Sequence, residues 1–324
     1  MNTREKLLGM FEEYLSSIEF PQQPSKLYEP ISYSLLDGGK RVRPALLLIA
    51  ADIFGARPED AMPCAGAVEM FHNFTLLHDD IMDNAAVRRG KSSVHAKWGS
   101  NVAILSGDAM VICSYKLLQQ APAGVLPAVM AEFNKMALEV CEGQQFDLDF
   151  ESREDVSLDE YMNMIRLKTA VLFAGSAKIG GLVAGASPEE CELLYAFGLE
   201  LGMAFQLQDD YLDTYGTADV LGKNIGGDIG EGKKTFLTIT ALNEAGAATR
   251  RAMLATFNEK KLPLGHKMGR IKTIYNSLDV PEITRREVKK YLDSATAALG
   301  KLEAGGRDVT LLREMVDALA NRNK

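Results

Sequence analysis

The sequence predicts an all-α fold, in one domain that spans residues 1–324. The chain has 11 prolines, but none of them lies within residues 128–187 or residues 189–262. Pro188 alone separates these two stretches. Long proline-free stretches suit long helices, because an interior proline costs a helix roughly 3 kcal/mol. Apolar residues also recur at the helical intervals of three and four, as in Leu193, Leu194, Phe197 and Leu201. Sustained alternation of apolar and polar residues, which would indicate strands, is missing, so we expect ten or more helices.

Two short segments carry the signals of a helix start. Ser157 stands three residues before Glu160, the spacing of a capping box in which each side chain binds the backbone of the other. Ser187 stands before Pro188 and two glutamates, which suits an N-cap followed by a proline in the first turn and by acids that favour the helix dipole. We therefore expect helices to begin just after Ser157 and Ser187.

Composition and charge exclude several classes of protein. The formal net charge is −8, and 47% of the residues are hydrophobic, as in an ordinary folded protein. An acidic chain argues against a general nucleic-acid binder, but it allows a local basic pocket for a small phosphorylated ligand. The four cysteines form no CxxC pair, and we find neither a signal-peptide core nor an apolar run near the roughly 20 residues that span a bilayer. We expect a cytoplasmic protein without stable membrane insertion.

Two acid clusters of the form DDxxD are the sharpest functional signal. They comprise Asp79, Asp80 and Asp83, and then Asp209, Asp210 and Asp213. On a helix, the first and last carboxylates of each cluster share one face about one turn apart, where like charges repel. A single cluster is often a solvated acidic face. Because both clusters lie in apolar sequence, we expect a hard divalent cation to compensate them, and we interpret the pair as Mg²⁺ ligands that grip a diphosphate.

Basic residues accompany these clusters and would complete a diphosphate site. The segment GGKRVRP places three cations within four residues, after paired glycines that allow a close approach of the backbone to a ligand. Any one basic residue could equally be an ordinary surface cation rather than a phosphate ligand. The occurrence of several of them together with two acid clusters favours a phosphate site. The candidates are Lys40, Arg41, Arg43, Arg88, Arg89, Lys168, Lys223 and Lys233.

The glycine-rich segment 227–235 approaches the nucleotide-binding pattern GxxxxGK[ST]. It departs from that pattern because Lys234 occupies the position of the Ser or Thr that would bind Mg²⁺. Asp228 and Glu231 also place negative charge where a phosphate needs amide donors. We therefore expect a glycine-rich lid that carries Lys233 rather than an ATP site.

Taken together, these motifs resemble the trans-type, head-to-tail isoprenyl diphosphate synthases over roughly residues 35–238. The resemblance rests on GGKRVRP, LLHDDIMD with RRG, GQQFDLDF, KT, FQLQDDYLD and GKNIGGDIGEGKKT, in that order. It implies a helical bundle of the isoprenoid synthase type around a central cavity, usually a homodimer. It also implies a condensation of isopentenyl diphosphate with an allylic diphosphate (dimethylallyl, geranyl or farnesyl), with three Mg²⁺ ions in each active site.

The resemblance also assigns roles to individual residues. The principal metal ligands would be Asp79, Asp83 and Asp209, with support from Asp80, Asp210 and Asp213. Isopentenyl diphosphate would be bound by Lys40, Arg43, His72 and Arg89. The allylic diphosphate would be bound by Arg88, Lys168, Thr169, Gln206, Lys223 and Lys233. Four of these are also expected to act in catalysis, namely Lys168, Thr169, Gln206 and Lys233.

The reaction that the resemblance implies accounts for these residue types. Metal ions and basic side chains neutralise the departing diphosphate, which leaves an allylic carbocation for the double bond of isopentenyl diphosphate to attack. The proton then lost goes to the departing diphosphate. Thr169 and Gln206 would steady the cation with their dipoles, and no Ser, His or Cys nucleophile is needed.

Product length is expected to depend on the helix before the first cluster. Small Thr75 would let a growing tail pass, and Phe71 lies about 12 Å along the axis from Asp79 at 1.5 Å per residue. Phe74 stands five residues before Asp79, where geranylgeranyl-forming relatives often have a lone aromatic residue. We expect a twenty-carbon product, with a fifteen-carbon product as the alternative. Both phenylalanines could instead be ordinary core residues.

Three other functions remain open at this stage. A terpene cyclase would use Mg²⁺ and an acid cluster but would not need an isopentenyl diphosphate site, for which Lys40, Arg43 and Arg89 are present. A non-catalytic subunit would be expected to lose acids of the clusters, and all six are kept. A helical scaffold protein is the third alternative, and it would have no use for either cluster.

Overall fold

The computed structural model describes residues 3–217, 225–259 and 261–322, and it is all-α as predicted. The helices are α1 Thr3–Ser17, α2 Ser25–Leu35, α3 Val42–Ile53, α4 Pro58–Met82, α5 Val94–Trp98, α6 Ser100–Leu118, α7 Leu126–Glu151, α8 Leu158–Ile165, α9 Val171–Val183, α10 Pro188–Tyr215, α11 Gly227–Glu231, α12 Phe236–Glu244, α13 Ala247–Asn258, α14 Leu264–Ser277, α15 Val280–Ala304 and α16 Thr310–Ala320. A π-helical turn, Arg166–Ala170, joins α8 to α9. Lys223, a predicted site residue, lies outside the described residues.

Both predicted helix starts are confirmed. Ser157 Oγ accepts a hydrogen bond from the Glu160 amide at 3.2 Å, and the Ser157 amide donates to Glu160 Oε2 at 2.9 Å. Helix α10 begins at Pro188, and Ser187 Oγ accepts from the Glu190 amide at 3.2 Å. These bonds satisfy amides that have no partner within the helix, which explains why the boundaries could be predicted from a few neighbouring residues.

A short hairpin between α4 and α5 was not predicted. Strands β1 Val87–Arg88 and β2 Lys91–Ser92 pair in an antiparallel register, with Val87 opposite Ser92. The two turn residues between them, Arg89 and Gly90, both have positive φ angles of 51° and 79°. Two-residue hairpin turns require this backbone conformation, which an arginine seldom adopts.

The chain divides into two compact units, and each is built from three separate segments. The first unit comprises Met1–Ala137, Phe173–Gly198 and Ala298–Arg313, and the second comprises Leu138–Leu172, Leu199–Ala297 and Glu314–Lys324. Neither unit is continuous in sequence. That residues 1–324 act as a single domain stays a prediction.

Small residues allow close helix packing within each unit. In the first unit, a Cβ added at Gly180 would lie 2.3 Å from the carbonyl oxygen of Leu47, on a helix whose residues 44–51 are all buried. In the second unit, a Cβ at Gly202 would lie 2.6 Å from the Cα of Ala170. Both distances are shorter than real Cβ contacts, so these helices approach to a distance that only glycine permits.

Helix α6 differs from what the sequence led us to expect. Its 19 residues, Ser100–Leu118, are long and apolar enough to cross a membrane by length and composition, and 39% of that stretch is buried. The core helix of a soluble protein can have the same length and composition. The expectation that no segment has such a character was therefore wrong for α6.

Candidate active site

The first acid cluster lies at the end of α4, in the first unit. The Asp83 amide donates to the carbonyl oxygen of Asp79 at 2.8 Å, so helical geometry continues through the last aspartate of the cluster. Asp79 and Asp83 are partly exposed and stand one turn apart, as predicted, whereas Asp80 is buried. Asp79 and Asp83 are thus the carboxylates of this cluster that solvent can reach.

Arg88 of the hairpin is paired with this cluster. Its Nε and Nη2 donate to Asp80 Oδ1 at 2.9 and 2.6 Å, and Nη2 also lies 3.3 Å from Asp79 Oδ2. Burial raises the pKa of Asp80, against the opposing effect of the Arg88 guanidinium. Arg88 was predicted to hold an allylic diphosphate. In this structure it neutralises the buried carboxylate of Asp80, beside the pair predicted to bind metal.

Arg43 and His72, both predicted to bind isopentenyl diphosphate, are in direct contact. Arg43 Nη1 donates to His72 Nε2 at 3.1 Å, and the guanidinium lies over the Phe173 ring at 4.7 Å. Burial, followed by the charge of Arg43, lowers the pKa of His72 well below its ordinary value, so the imidazole is neutral and can accept this bond. Burial also lowers the pKa of Arg43 to about 10.

The glycine pair that precedes Lys40 makes room for Arg89. Arg89 Nη1 donates to the carbonyl oxygen of Gly38 at 2.6 Å, and a Cβ at Gly39, where φ is +134°, would lie 3.1 Å from the Arg89 guanidinium carbon. Lys40 itself is exposed. Arg89 thus contacts the glycine pair that precedes Lys40, and its charge also lowers the pKa of Arg43.

The second acid cluster lies within α10, in the second unit. Asp209 is partly exposed, and Asp210 and Asp213 are buried. Asp210 accepts hydrogen bonds from the Tyr161 hydroxyl and from Gln206 Nε2, the latter at 3.0 Å, and burial raises its pKa. Asp213 Oδ2 accepts from the Asp228 amide at 3.1 Å, at the start of α11. All three carboxylates are therefore engaged by donors of the protein itself, Asp209 through the guanidinium of Arg322.

The π-helical turn presents Lys168 and Thr169. Lys168 Nζ donates to Asp147 Oδ2 at 2.6 Å, and Thr169 Oγ1 donates to Gln206 Oε1 at 2.9 Å. Because Gln206 also donates to Asp210, a chain of hydrogen bonds joins the turn to the second cluster. Single π turns within helices are frequent at functional sites.

The predicted lid contains α11 and Lys233. The Lys233 amide donates to the Asp228 carbonyl oxygen at 2.9 Å, and Lys233 Nζ lies 3.2 Å from Glu231 Oε2. Lys234 Nζ donates to the carbonyl oxygen of Glu151 at 3.2 Å. Lys234 is thus used to hold the segment against the end of α7, which suits a lid better than a nucleotide loop.

The residues predicted to limit product length lie on α4. Phe71 is buried, and its ring centroid is 5.4 Å from that of Phe74 and 5.5 Å from that of Phe133. Phe74 is partly exposed, and Thr75 Oγ1 donates to the carbonyl oxygen of His72 at 2.8 Å. Of the two phenylalanines, Phe74 is the one with a surface that a ligand could contact.

Three residues near the site were missed by sequence reasoning. Asp147 lies in the quoted motif GQQFDLDF, but nothing there indicated that it binds Lys168. Tyr161 lies 49 residues from Asp210 and carries no motif signal. Arg322 Nη2 donates to Asp209 Oδ1 at 3.1 Å across 113 positions of the sequence, a separation that no local motif shows.

The carboxylates fit a divalent cation whose coordination a ligand completes. In the part of the chain that the structure describes, no three or more His, Cys, Asp or Glu side chains form a group that could hold a metal ion. Mg²⁺ needs no such group, because it keeps several waters and is typically held by one or two carboxylates together with substrate phosphates. Asp79 and Asp83 in the first unit, and Asp209 in the second, are partly exposed carboxylates of this kind.

Comparison with known proteins agrees with these features. The family model described as polyprenyl synthetase matches residues 24–278. A geranylgeranyl diphosphate synthase of Methanosarcina mazei is 44% identical over 225 residues, which cover 68% of this chain and 69% of that protein.

Two solved structures are also similar. A crystal structure of a geranylgeranyl pyrophosphate synthase is 41% identical with a TM-score of 0.91, over 99% of this chain and 97% of that one. A geranylgeranyl pyrophosphate synthase from Corynebacterium glutamicum, solved with isoprenyl diphosphate and magnesium, is 25% identical with a TM-score of 0.83, over 98% and 96% of the two chains.

Proposed function

We propose that this chain, which belongs to the polyprenyl synthetase family, is a short-chain trans-prenyltransferase that condenses isopentenyl diphosphate with an allylic diphosphate. The observation that carries the proposal is the contact of Arg43 with neutral His72 beside the Arg89 and glycine loop. A cyclase has only one diphosphate to bind. Arg43, His72 and Arg89 offer a site for a second diphosphate, in addition to the one expected at the two acid clusters. They therefore favour a reaction with two diphosphate substrates.

Different residues would bind the two substrates and stabilise the carbocation. Arg43 and Arg89 would hold the diphosphate of isopentenyl diphosphate, with His72 fixing the orientation of Arg43. Thr169 and Gln206, which are already hydrogen-bonded to each other, would present oxygen dipoles to the developing carbocation. Lys168 would bind the departing allylic diphosphate, which takes up the proton released on condensation.

Bound Mg²⁺ would neutralise the charge that develops on the departing diphosphate. We propose Asp79, Asp83 and Asp209 as its ligands, because these are the partly exposed aspartates of the two clusters. Asp80, Asp210 and Asp213 would support them from buried positions. The number of three ions per site stays a prediction, as do the roles of Lys40, Arg88 and Lys233.

We propose geranylgeranyl diphosphate as the main product. The partly exposed ring of Phe74, backed by buried Phe71, would meet the growing tail beyond Thr75. The relatives described above are named for the same product. Farnesyl diphosphate is the alternative. It would be favoured if the ring of Phe74 stops the tail at fifteen carbons, one five-carbon isoprene unit shorter.

A homodimer is also part of the proposal, with α6 as the contact. Ile104, Leu105 and Ile112 on this helix are 42%, 60% and 63% exposed, and they recur at helical spacing on one face. A second copy would remove these side chains from water. Light scattering should give twice the chain mass for the wild type and the monomer mass for Ile112→Glu. A wild-type monomer would contradict this part.

A cytoplasmic location stays a prediction.

The decisive experiment is an elongation assay. The purified protein is incubated with Mg²⁺, isopentenyl diphosphate and farnesyl diphosphate, and the products are identified by mass. We expect geranylgeranyl diphosphate from the wild type and from Asp293→Asn, which changes an exposed helical aspartate, but not from Asp79→Asn. A failure to elongate any allylic primer would contradict the proposal. Hydrocarbon formed without isopentenyl diphosphate would favour a cyclase.

A further inference from the structure

We propose that Arg41 is a positioning residue, which fixes the loop that carries Lys40 and Arg43 against the helix that carries His72. The sequence groups Arg41 with the cations that converge on phosphate. Its contacts assign it a different task. The naming of the ligand as isopentenyl diphosphate rests on the proposed function, but the geometry of the loop does not.

The guanidinium of Arg41 joins three helices of the first unit. Its Nε donates to Glu12 Oε1 on α1 at 2.8 Å, Nη1 to Glu69 Oε1 on α4 at 2.6 Å, and Nη2 to the carbonyl oxygen of Leu35 at the end of α2 at 2.8 Å. The residue is 5% exposed. All three of its nitrogens are engaged by the protein, so the fork is directed inward rather than towards a ligand.

The charge of Arg41 is also neutralised within the protein. Glu69 is buried, and its Oε1 accepts a second hydrogen bond, from Asn73 Nδ2 at 3.1 Å. Glu12 supplies a further carboxylate, and together these partners raise the pKa of Arg41 against the effect of burial. A cation held by two carboxylates adds little attraction for an anion, so the attraction falls to Arg43 and its neighbours.

The backbone at Arg41 shows why the side chain must hold the loop. Arg41 has a φ of 45° and a ψ of 35°, in the left-handed region that residues other than glycine seldom adopt. Such a conformation persists where surrounding contacts over-determine it, and these sites cluster at ligand clamps. Its carbonyl oxygen accepts from the Ala45 amide at 3.0 Å and so starts α3, which carries Arg43.

The consequence for the site follows from sequence position. Glu69 stands one turn before His72 on α4, and Arg41 stands between Lys40 and Arg43. The ion pair of Arg41 with Glu69 therefore sets the distance between the loop and the helix at the point where Arg43 meets His72.

Arg41→Lys tests this directly, because lysine keeps the charge but lacks the planar fork that reaches three partners. We expect the KM for isopentenyl diphosphate to rise about tenfold, with the KM for the allylic substrate and kcat within about twofold. Hydrogen exchange at the amides of residues 38–43 should become faster. Binding of inorganic diphosphate should weaken by a similar factor.

Arg307→Lys is the matched control in the same unit. Arg307 Nε donates to Glu190 Oε1 at 2.8 Å, and its guanidinium lies over the Phe54 ring at 4.4 Å. A general loss of packing would lower the melting temperature of both variants and change neither KM selectively. If Arg41→Lys does not fold, Glu12→Gln removes only the exposed partner, and we expect a rise of about threefold in the same KM.

The outcomes separate this inference from the proposed function. If Arg41→Lys raises both KM values equally, or leaves the exchange of residues 38–43 unchanged, Arg41 is not a positioning residue. If the wild type fails to elongate any primer, the proposed function is wrong. Hydrogen exchange and the binding of inorganic diphosphate would then still decide the role of Arg41.

Discussion

Gly143 offers the sharpest test of how packing supports the site. It lies on α7 against the π turn, and a Cβ there would stand 2.2 Å from the amide nitrogen of Lys168 and 2.6 Å from its Cα. These are backbone atoms, so no side chain can rotate out of the way. Gly143→Ala must therefore push the turn and the helix apart by about 1 Å before ordinary contact distances return.

The magnitude follows from two opposed effects. Overpacking of this kind costs about 1–3 kcal/mol, whereas alanine favours a helix over glycine by up to about 1 kcal/mol. We expect a net loss of about 1–2 kcal/mol in the free energy of unfolding. A displacement of about 1 Å at Lys168 and Thr169 should also lower kcat by up to about 100-fold.

Gly269→Ala is the matched control. Gly269 lies within α14 of the same unit, and a Cβ there would meet nothing within 4 Å. We expect this variant to gain up to about 1 kcal/mol and to keep its activity. Urea unfolding and steady-state kinetics on both variants give the comparison. If both changes stabilise the protein, or if Gly143→Ala keeps full kcat, the close contact at the π turn does not support the site.

Three further predictions follow. Phe74→Ala should lengthen the product beyond twenty carbons by mass, and unchanged products would remove Phe74 from the control of length. Tyr161→Phe takes a donor from buried Asp210 and should cost about 1–3 kcal/mol in unfolding free energy and lower kcat; unchanged stability would show that this bond contributes nothing. Chelation of divalent metal should abolish turnover and leave the helical circular dichroism intact, and activity that survives chelation would contradict the metal proposal.

The parts of the fold that could be predicted depend on near neighbours in sequence. The starts of α8 and α10 were predicted because Ser157 and Ser187 act on residues three positions away. The hairpin at β1 and β2 was not, because Arg89 adopts a positive φ that its residue type does not suggest. The contact of Arg89 with Gly38, 51 positions away, accompanies that conformation, and no local pattern contains it.

The candidate site follows the same division. Motifs identified the residues that could bind metal and phosphate, because the residue type alone specifies a carboxylate or a basic group. They could not show that Arg41 faces inward while Arg43 meets His72, since both are arginines of one short segment. Nor could they show the partners of Lys168 and Asp210, which stand 21 and 49 residues away.

The burial of half of the six aspartates bears on how such motifs persist. Asp80, Asp210 and Asp213 are enclosed by the protein, and each accepts hydrogen bonds from it. Selection on these positions can therefore act through folding even in a descendant that no longer needs its reaction. A relative that has lost catalysis would be expected to change Asp79, Asp83 or Asp209 first. Substitutions at the partly exposed aspartates of DDxxD, with the buried aspartates kept, would then indicate a relative that has lost catalysis but kept the fold.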